Sequence, residues 1–406
     1  MLKKGIMVFM AKQKISVILA LTFSVFLMFS FINCQKSTTG TPPQNGNPAS
    51  TPDISRLSPN CFQSANAIPT HTNGTFIGSF AIWNDPSVLK VENKYVMYAS
   101  SPGDSSAPDY NIQIYRFESN DLSNWTLNPS VPVLSAGTAG TWNEKGVETP
   151  SVIYFQNQYH MFYTGYKNSP DSNPAYAHHE NFKIGHAISS NGINFTKDSG
   201  FVLEPTCPNW TVTNQICTDG GNHPTDFNAW LVGEPGAVVF NNKIYLYFTA
   251  NGYHTNITPN NPLQVIGLTT SIDGNTWTTP SAILEPDPVL FPRVDTNNGN
   301  SDLWVGYSTP NAIVLGGQMH LFYDVASNIS NQWRQRKLHH SMSADGQTQW
   351  VQDSAVIYSH TDFPWTNREI RSPSLLLDGT TLLMWFAGDD GGTPYQFGIG
   401  LSRCSL

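Results

Sequence analysis

The chain has 406 residues, a formal net charge of −8 at pH 7 and only 12% charged side chains. This acidic, sparsely charged composition argues against nucleic acid or another polyanion as the partner. No zinc, EF-hand or phosphate-loop spacing is present, so the sequence predicts neither a metal site nor another cofactor.

The first 34 residues differ from the rest of the chain. Lys3 and Lys14 precede an apolar run, Ile15 to Ile32, and Cys34 follows it. A basic start, an apolar stretch and a nearby cysteine are typical of an export signal. Cys34 resembles the lipidation site of bacterial lipoproteins, so we expect a cell-envelope protein anchored to the outer membrane or cell surface. A transmembrane anchor is the alternative, since the run could nearly span a bilayer.

Residues 35–60 are rich in Thr, Pro, Asn, Ser and Gly, a composition that predicts a flexible linker. Residues 61–406 are then expected to form the folded, monomeric domain. This part contains four cysteines, Cys61, Cys207, Cys217 and Cys404, an even set that can form disulfides in an exported protein. Of the three pairings we favour Cys207–Cys217 with Cys61–Cys404. Four free thiols are the alternative.

A proline-led pattern occurs five times in this domain. The prolines are Pro86, Pro150, Pro235, Pro310 and Pro373. Twelve residues after each proline stands an aromatic residue: Tyr98, Phe162, Tyr247, Phe322 and Trp385. A short apolar run, a polar turn and a second apolar run lie between them, which predicts a β-hairpin with a core aromatic in each repeat.

Further strands follow each hairpin. Ile184-Gly185-His186-Ala187 matches Ile266-Gly267-Leu268-Thr269 as a third strand, and Val202-Leu203-Glu204-Pro205 matches Ile283-Leu284-Glu285-Pro286 as a fourth. The sequence therefore predicts an all-β, five-bladed β-propeller with four antiparallel strands per blade. The fifth repeat lacks a fourth strand, so we expect a segment around Thr75–Phe80 to supply it and to close the ring.

The residues before each proline should converge, because the first strand of every propeller blade lines the central channel. They are Asp85, Glu148-Thr149, Glu234, Ser308-Thr309 and Arg371-Ser372. Three acids and one guanidinium at equivalent places indicate a site for acid–base chemistry. The structural alternative is that proline suits a strand start and that acids before proline serve turns.

These motifs resemble those of the five-bladed glycoside hydrolases of families 43 and 32. Trp83-Asn84-Asp85-Pro86 is similar to the first-blade motif of the catalytic aspartate, and Gly233-Glu234-Pro235 to the third-blade motif of the acid glutamate. Arg371-Ser372-Pro373 is similar to a channel-lining arginine position. Two departures occur. Thr149 stands where family 43 usually has aspartate, with Glu148 one residue earlier, and Glu234 is one residue from its proline rather than two.

The resemblance implies a carbohydrate substrate and a two-carboxylate mechanism. We expect Glu234 to be the general acid, Asp85 the base or nucleophile, and Glu148 the residue that tunes the acid. Arg371 and Asn84 are expected to contact the sugar. Trp83 and Trp230 are expected to stack on the sugar, with core packing as the alternative.

The favoured function is a glycosidase acting on neutral glycosides such as arabinofuranosides, xylosides or fructosides. The scarcity of Lys and Arg near the motifs argues against a phosphorolytic relative of family 130. The insertion from Cys207 to Trp230 is expected to flank the pocket. The alternative from another class is a non-catalytic surface propeller that binds glycans or a protein.

Overall fold

The computed structural model describes residues 52–63, 68–69, 82–102, 111–167, 182–207, 226–252, 263–286, 305–329, 332–389 and 397–406. Residues 1–34 with Cys34, the linker up to residue 51, Thr75–Phe80 and Cys217 lie outside these ranges. No helix in the described part is long and apolar enough to cross a membrane. Its helices are short: Ile54–Arg56 and Pro364–Thr366 are 3₁₀ turns, and Pro59–Gln63 forms one α-helical segment, α1.

Strands dominate the described residues and form antiparallel sheets. The first element, β1, is Ile68–Pro69. Sheet 1 contains β2 (Asn84–Val91), β3 (Lys94–Ser101), β4 (Gln113–Ser119) and β5 (Thr126–Leu127). Sheet 2 contains β6 (Gly146–Phe155), β7 (Gln158–Tyr166), β8 (Lys183–Ser189) and β9 (Thr196–Lys197). In both sheets, consecutive strands pair in chain order.

Sheets 3 and 4 repeat this arrangement. Sheet 3 contains β10 (Leu231–Phe240), β11 (Lys243–Gly252), β12 (Leu263–Ser271) and β13 (Ser281–Leu284). Sheet 4 contains β14 (Gly306–Leu315), β15 (Gln318–Ile329), β16 (Gln332–Ser343), β17 (Val351–Gln352) and β18 (Tyr358–Ser359). A parallel pair, Gln264 with Gly306, joins the two sheets. The predicted fourth strand at Val202–Pro205 is reduced to one bridge, between Ile184 and Leu203.

Sheet 5 takes its fourth strand from the N-terminal side of the domain. It contains β19 (Glu369–Asp378), β20 (Thr381–Asp389) and β21 (Phe397–Ser405), and β1 pairs antiparallel with β21. An N-terminal strand was predicted here, but the paired residues are Ile68–Pro69, before the predicted segment. The Cys61–Cys404 disulfide joins the same region to β21 and confirms the predicted pairing. Cys207 is also disulfide-bonded; its pairing with Cys217 stays a prediction.

Hydrogen bonds connect the first strands of neighbouring sheets at four junctions. At each of these junctions the residue after the repeated proline supplies the acceptor. Ser87 accepts from the Val152 N–H at 3.0 Å, Ser151 from Ala237 at 2.8 Å, Asn311 from Leu375 at 3.0 Å and Ser374 from Val88 at 3.0 Å. Gly236 occupies the remaining position, where a Cβ would lie 2.0 Å from the carbonyl oxygen of Pro310. The hydrogen bonds thus link sheet 1 to sheet 2, sheet 2 to sheet 3, sheet 4 to sheet 5 and sheet 5 to sheet 1, and a close backbone approach relates sheet 3 to sheet 4.

Apolar side chains fill the space between consecutive sheets. One cluster joins Met97 of β3 to Leu383 of β20, and the other clusters join each further pair of neighbouring sheets. The five repeated aromatics are at most 1% exposed, as the sequence predicts: Tyr98, Phe162, Tyr247, Phe322 and Trp385. Burying side chains of this size supplies much of the stability of the sheets.

Two buried histidine relays lie between neighbouring strands of sheets 2 and 4. His160 is hydrogen-bonded to His186 at 3.0 Å, and His186 to Asp198 at 2.7 Å. The second relay has the same geometry: His320 to His340 at 3.0 Å and His340 to Asp353 at 2.8 Å. Burial and, to a smaller extent, the neighbouring histidine lower the pKa of His160 and of His320 to about 4.

These relays predict that the protein loses stability in acid. Unfolded histidine titrates near 6.5, so the unfolded chain binds more protons than the folded one between pH 6.5 and about 4. Stability should fall as the pH drops through this window, by on the order of 2 kcal/mol per histidine after solvent screening. Urea unfolding of the wild type and of His320→Gln from pH 4 to 7 checks this. The difference between the two should shrink in acid, and a pH-independent difference would contradict the assignment.

Candidate active site

The residue before each repeated proline has an unusual backbone. All five have a positive φ: Asp85 (54°), Thr149 (49°), Glu234 (50°), Thr309 (48°) and Ser372 (54°). Each lies at an irregularity in the pairing of the first two strands of its sheet. Positive φ is strained for residues other than glycine, above all for threonine, and such strain concentrates at functional sites. We call these five residues the pre-proline layer.

The pre-proline layer and the five prolines line one cavity. The residues one position earlier form a second set that we call the outer layer: Asn84, Glu148, Gly233, Ser308 and Arg371. Beyond the prolines, on the other side, the strands line an apolar channel. We call the two layers together the cup.

Hydroxyl groups on the second strands hold the pre-proline layer in place. Ser100 accepts a hydrogen bond from the Thr149 N–H at 2.9 Å. Thr164 accepts from the Glu234 N–H at 2.7 Å, and Thr249 from the Thr309 N–H at 3.0 Å. Each hydroxyl belongs to the sheet before the residue it binds, so these bonds fix the strained backbone across sheet boundaries.

Asp85 is 4% exposed and lies at the junction of sheets 1 and 5. The Ser372 hydroxyl donates to its Oδ1 at 2.7 Å, and Arg371 Nη2 lies 3.7 Å from the same oxygen. Burial raises the pKa of Asp85, while Arg371 and the hydroxyl donors oppose this rise. Asp85 is therefore a buried carboxylate with one guanidinium as its counter-charge.

Glu234 is 7% exposed and is fixed by the next sheet. The Thr309 N–H donates to its Oε2 at 3.2 Å, and the Thr249 hydroxyl also interacts with it. Burial raises the pKa of Glu234, and Asp324 adds to the rise. The same Thr309 accepts from the Ser372 N–H at 3.1 Å, so a hydrogen-bonded path connects Glu234 to Asp85.

Glu148 is the third carboxyl of the cup and is partly exposed. It has no hydrogen bond or ion pair among the described residues. Burial, with added contributions from Asp85 and Glu234 and an opposing one from Arg371, raises the pKa of Glu148 to about 8. Asp85 and Glu234 therefore lie close enough to Glu148 to disfavour its ionised form.

Arg371 connects the acids electrostatically. Its Nη1 lies 3.5 Å from Glu369 Oε1, and its Nε donates to Asn84 Oδ1 at 3.4 Å. Burial alone would lower the pKa of Arg371, but the carboxylates Glu369 and Asp85 outweigh that effect and raise it. The predicted residue Asn84, 7% exposed, thus orients the guanidinium.

A buried charge cluster next to Glu234 was not predicted from the sequence. Arg336, 1% exposed, forms an ion pair with Asp324, which is 0% exposed, and its Nε lies 2.8 Å from Glu369 Oε1. Asp324 accepts hydrogen bonds from the hydroxyls of Ser308, at 2.7 Å, and Thr309. The cluster therefore anchors the cup at sheet 4 and continues through Glu369 to Arg371.

The two predicted stacking tryptophans belong to the core, which corrects that expectation. Trp83 is 1% exposed and packs edge-on against Tyr115 and Phe117. Trp230 is 4% exposed and packs in a cluster with Tyr166. Neither ring offers a face to a sugar. Residues 208–225 of the predicted insertion lie outside the described ranges.

Comparison with solved structures identifies the fold. A glycoside hydrolase superposes with a TM-score of 0.59 at 12% identity, covering 84% of this chain and 91% of that one. A thermostable family-43 glycoside hydrolase gives 0.52 at 16% identity, with 80% and 90% covered. The chain has the fold of these hydrolases. An endo-arabinase from Bacteroides thetaiotaomicron VPI-5482 gives 0.51 at 14% identity, with 81% and 97% covered. The likeness establishes a β-propeller-type fold.

Sequence comparison finds similarity over a smaller part of the chain. No protein-family model matches. A β-1,2-mannobiose phosphorylase from Thermoanaerobacter sp. (strain X514) is 29% identical over 125 residues, which are 30% of this chain and 35% of that protein. The chain thus matches about a third of the length of this curated relative.

Proposed function

We propose that the protein hydrolyses glycosidic bonds of neutral sugars in the cup. The observation that carries the proposal is the gathering of Asp85, Glu148, Glu234 and Arg371 at equivalent places on different sheets. The acids are buried or half-buried, burial raises the pKa of all three, and Asp85 and Glu234 add to the rise at Glu148. Such an arrangement is unfavourable for folding and favourable for acid–base catalysis.

The same proposal includes the architecture. We infer five blades closed into one ring, with β1 completing the last blade. The hydrogen bonds at four of the five junctions, including the one from the Val88 N–H of sheet 1 to Ser374 of sheet 5, support this inference. So does the Cys61–Cys404 disulfide beside the first and last sheets. In such a ring, the cup is the only axial cavity that carries acids among the described residues.

Two chemical roles have to be filled. The leaving oxygen needs a proton, and the anomeric carbon needs a nucleophile or a water activated by a base. Asp85 suits the second role because Arg371 and the Ser372 hydroxyl favour its ionised form. The sequence analysis predicts Glu234 as the proton donor to the leaving oxygen, and Glu148 is the alternative donor.

A neutral substrate fits the charges of the cup. Both arginines near the acids are already paired: Arg371 with Asp85 and Glu369, and Arg336 with Asp324 and Glu369. An anionic sugar would therefore meet an excess of carboxylates. Arabinofuranosides, xylosides and fructosides are the proposed substrate classes, and the likeness to an endo-arabinase places arabinose-containing oligosaccharides first in the panel.

Phosphorolysis is the second candidate, because the curated relative is a β-1,2-mannobiose phosphorylase. A phosphorylase must bind inorganic phosphate next to the anomeric carbon. Within the described residues, the paired arginines of the cup leave little positive charge for that anion. Hydrolysis is therefore the function that we favour.

The test is incubation of the purified protein with arabino-, xylo- and fructo-oligosaccharides and with β-1,2-mannobiose, with and without phosphate. Chromatography of the products is expected to show free sugar at a rate independent of phosphate. Sugar 1-phosphate formed only when phosphate is present would instead identify a phosphorylase. Binding on a glycan array without any turnover would support the non-catalytic alternative.

A further inference from the structure

We infer that Glu148 is the proton donor of this reaction and that Glu234 is a positioning residue. The inference rests on the proposed hydrolysis and departs from the role that the resemblance gives to Glu234. The carboxyl group of Glu148 has surroundings that differ from those of Glu234 and Asp85, and this difference supports the inference.

The first argument is hydrogen bonding. Glu234 accepts from the Thr309 N–H and interacts with the Thr249 hydroxyl, and Asp85 accepts from the Ser372 hydroxyl. Donors of this kind favour the ionised carboxylate and hold it in one orientation. Glu148 has no such donor among the described residues, so no hydrogen bond there stabilises its charge or fixes its carboxyl in one orientation.

The second argument is position. Asp85 and Glu234 belong to the pre-proline layer, where they are 4% and 7% exposed. In sheet 2 this position is taken by Thr149, whose hydroxyl is hydrogen-bonded to that of Thr164. Glu148 therefore stands in the outer layer, one residue farther from the apolar channel, and it is partly exposed. It is the carboxyl of the three that solvent and substrate reach most readily.

The third argument is the charge that surrounds Glu148. Asp85 and Glu234 both disfavour its ionised form, and Arg371 is the cation that opposes them. Arg371 is held by Glu369 and Asp85, so most of its charge is already compensated. Together with burial, which is the largest cause, these neighbours raise the pKa of Glu148 to about 8, and this shift favours its protonated form at neutral pH.

The resulting reaction is balanced. Glu148 gives its proton to the glycosidic oxygen as the bond from that oxygen to the anomeric carbon breaks. In an inverting reaction, a water molecule adds to the anomeric carbon and gives its proton to Asp85; solvent then returns a proton to Glu148 and removes one from Asp85. In a retaining reaction, Asp85 first bonds to the anomeric carbon, and the water that displaces it gives its proton to Glu148. Either way, one glycoside and one water yield two sugars.

The experiment compares Glu148→Gln with Glu234→Gln on two glycosides of the same sugar. One glycoside has a 2,4-dinitrophenyl leaving group, which needs no proton, and the other has an alkyl leaving group. Glu148→Gln is expected to lose about 10²–10⁴-fold in kcat/KM on the alkyl glycoside and little on the dinitrophenyl glycoside. The alkaline limb of its pH profile should disappear. Glu148→Asp should retain part of the activity on the alkyl glycoside, and circular dichroism checks that each variant is folded.

The outcomes separate this inference from the function on which it rests. If Glu234→Gln shows the dependence on leaving group, while Glu148→Gln only moves the alkaline limb, Glu234 is the donor and the inference is overturned. If the wild type cleaves no glycoside in the panel, the proposed hydrolysis fails and the inference fails with it.

Discussion

Replacing Arg336 by leucine is expected to lower the free energy of unfolding by about 3–5 kcal/mol. Arg336 is 1% exposed and is the direct counter-charge of Asp324, which is 0% exposed. It also pairs with Glu369 at 2.8 Å. Removing the guanidinium leaves two carboxylates without this partner in a site that water scarcely reaches, which is why the penalty exceeds that of an ordinary surface substitution. Denaturant unfolding at pH 7 measures it.

Two further variants make this prediction specific. Arg56→Leu removes an exposed arginine outside the cup and should change stability by less than about 0.5 kcal/mol. Combining Arg336→Leu with Asp324→Leu removes the buried charge together with its partner and should recover part of the loss. A loss below about 1 kcal/mol for Arg336→Leu alone would mean that the ion pairs do not hold sheet 4 in place.

The repeated prolines made the fold and the position of the acids predictable from the sequence. A proline-led strand with an aromatic twelve residues later is a local pattern, and the structure has an antiparallel hairpin at each copy. The pre-proline residues occupy the same position in each repeat, so the sequence alone predicts that Asp85 and Glu234 lie in the same region of the fold. The burial of Trp83 and Trp230 could not be predicted, since the sequence of a strand does not tell whether a tryptophan packs in the core or faces a ligand.

The same spacing from the prolines could have predicted part of the charge cluster of sheet 4. Fourteen residues after the five prolines stand Ser100, Thr164, Thr249, Asp324 and Ala387, and Asp324 is the ionisable one. Glu369 lies two residues before Arg371 on one strand, and alternate residues share a face. Arg336 carried no such signal. It lies on the third strand, opposite Ala326, and its long side chain reaches across the sheet boundary.

The strained backbone of the cup agrees with a site that is maintained for function. A non-glycine residue at positive φ costs roughly 1–3 kcal/mol, and five such residues occur at one level of the fold. Hydroxyls of the preceding sheet support three of them, Thr149, Glu234 and Thr309. A strand start with ordinary backbone geometry would be more stable, so the arrangement agrees with a need to hold these side chains in the cup.

Replacing Asp85 by asparagine is expected to reduce glycoside hydrolysis by at least about 10²–10⁴-fold without destabilising the protein. Asparagine fills the same space but cannot accept a proton or attack the anomeric carbon. Burial raises the pKa of Asp85, so its charged form is less favourable in the folded state than in the unfolded chain. Arg371 keeps Glu369 as a counter-charge after the change. The melting temperature should therefore stay the same or rise, as it often does when a functional group is removed from a strained site.

The matched control is the same substitution at Asp273, in an exposed turn of sheet 3. Asn191 occupies the equivalent turn of sheet 2 and makes the same contacts: it accepts from its serine at 3.0 Å, as Asp273 does. Asp273→Asn should leave activity unchanged. An Asp85→Asn variant that melts several degrees lower and loses activity in proportion to unfolding would indicate a structural role for Asp85. Full activity in a stable variant would remove Asp85 from the reaction altogether, because no amide can perform the step assigned to the carboxylate.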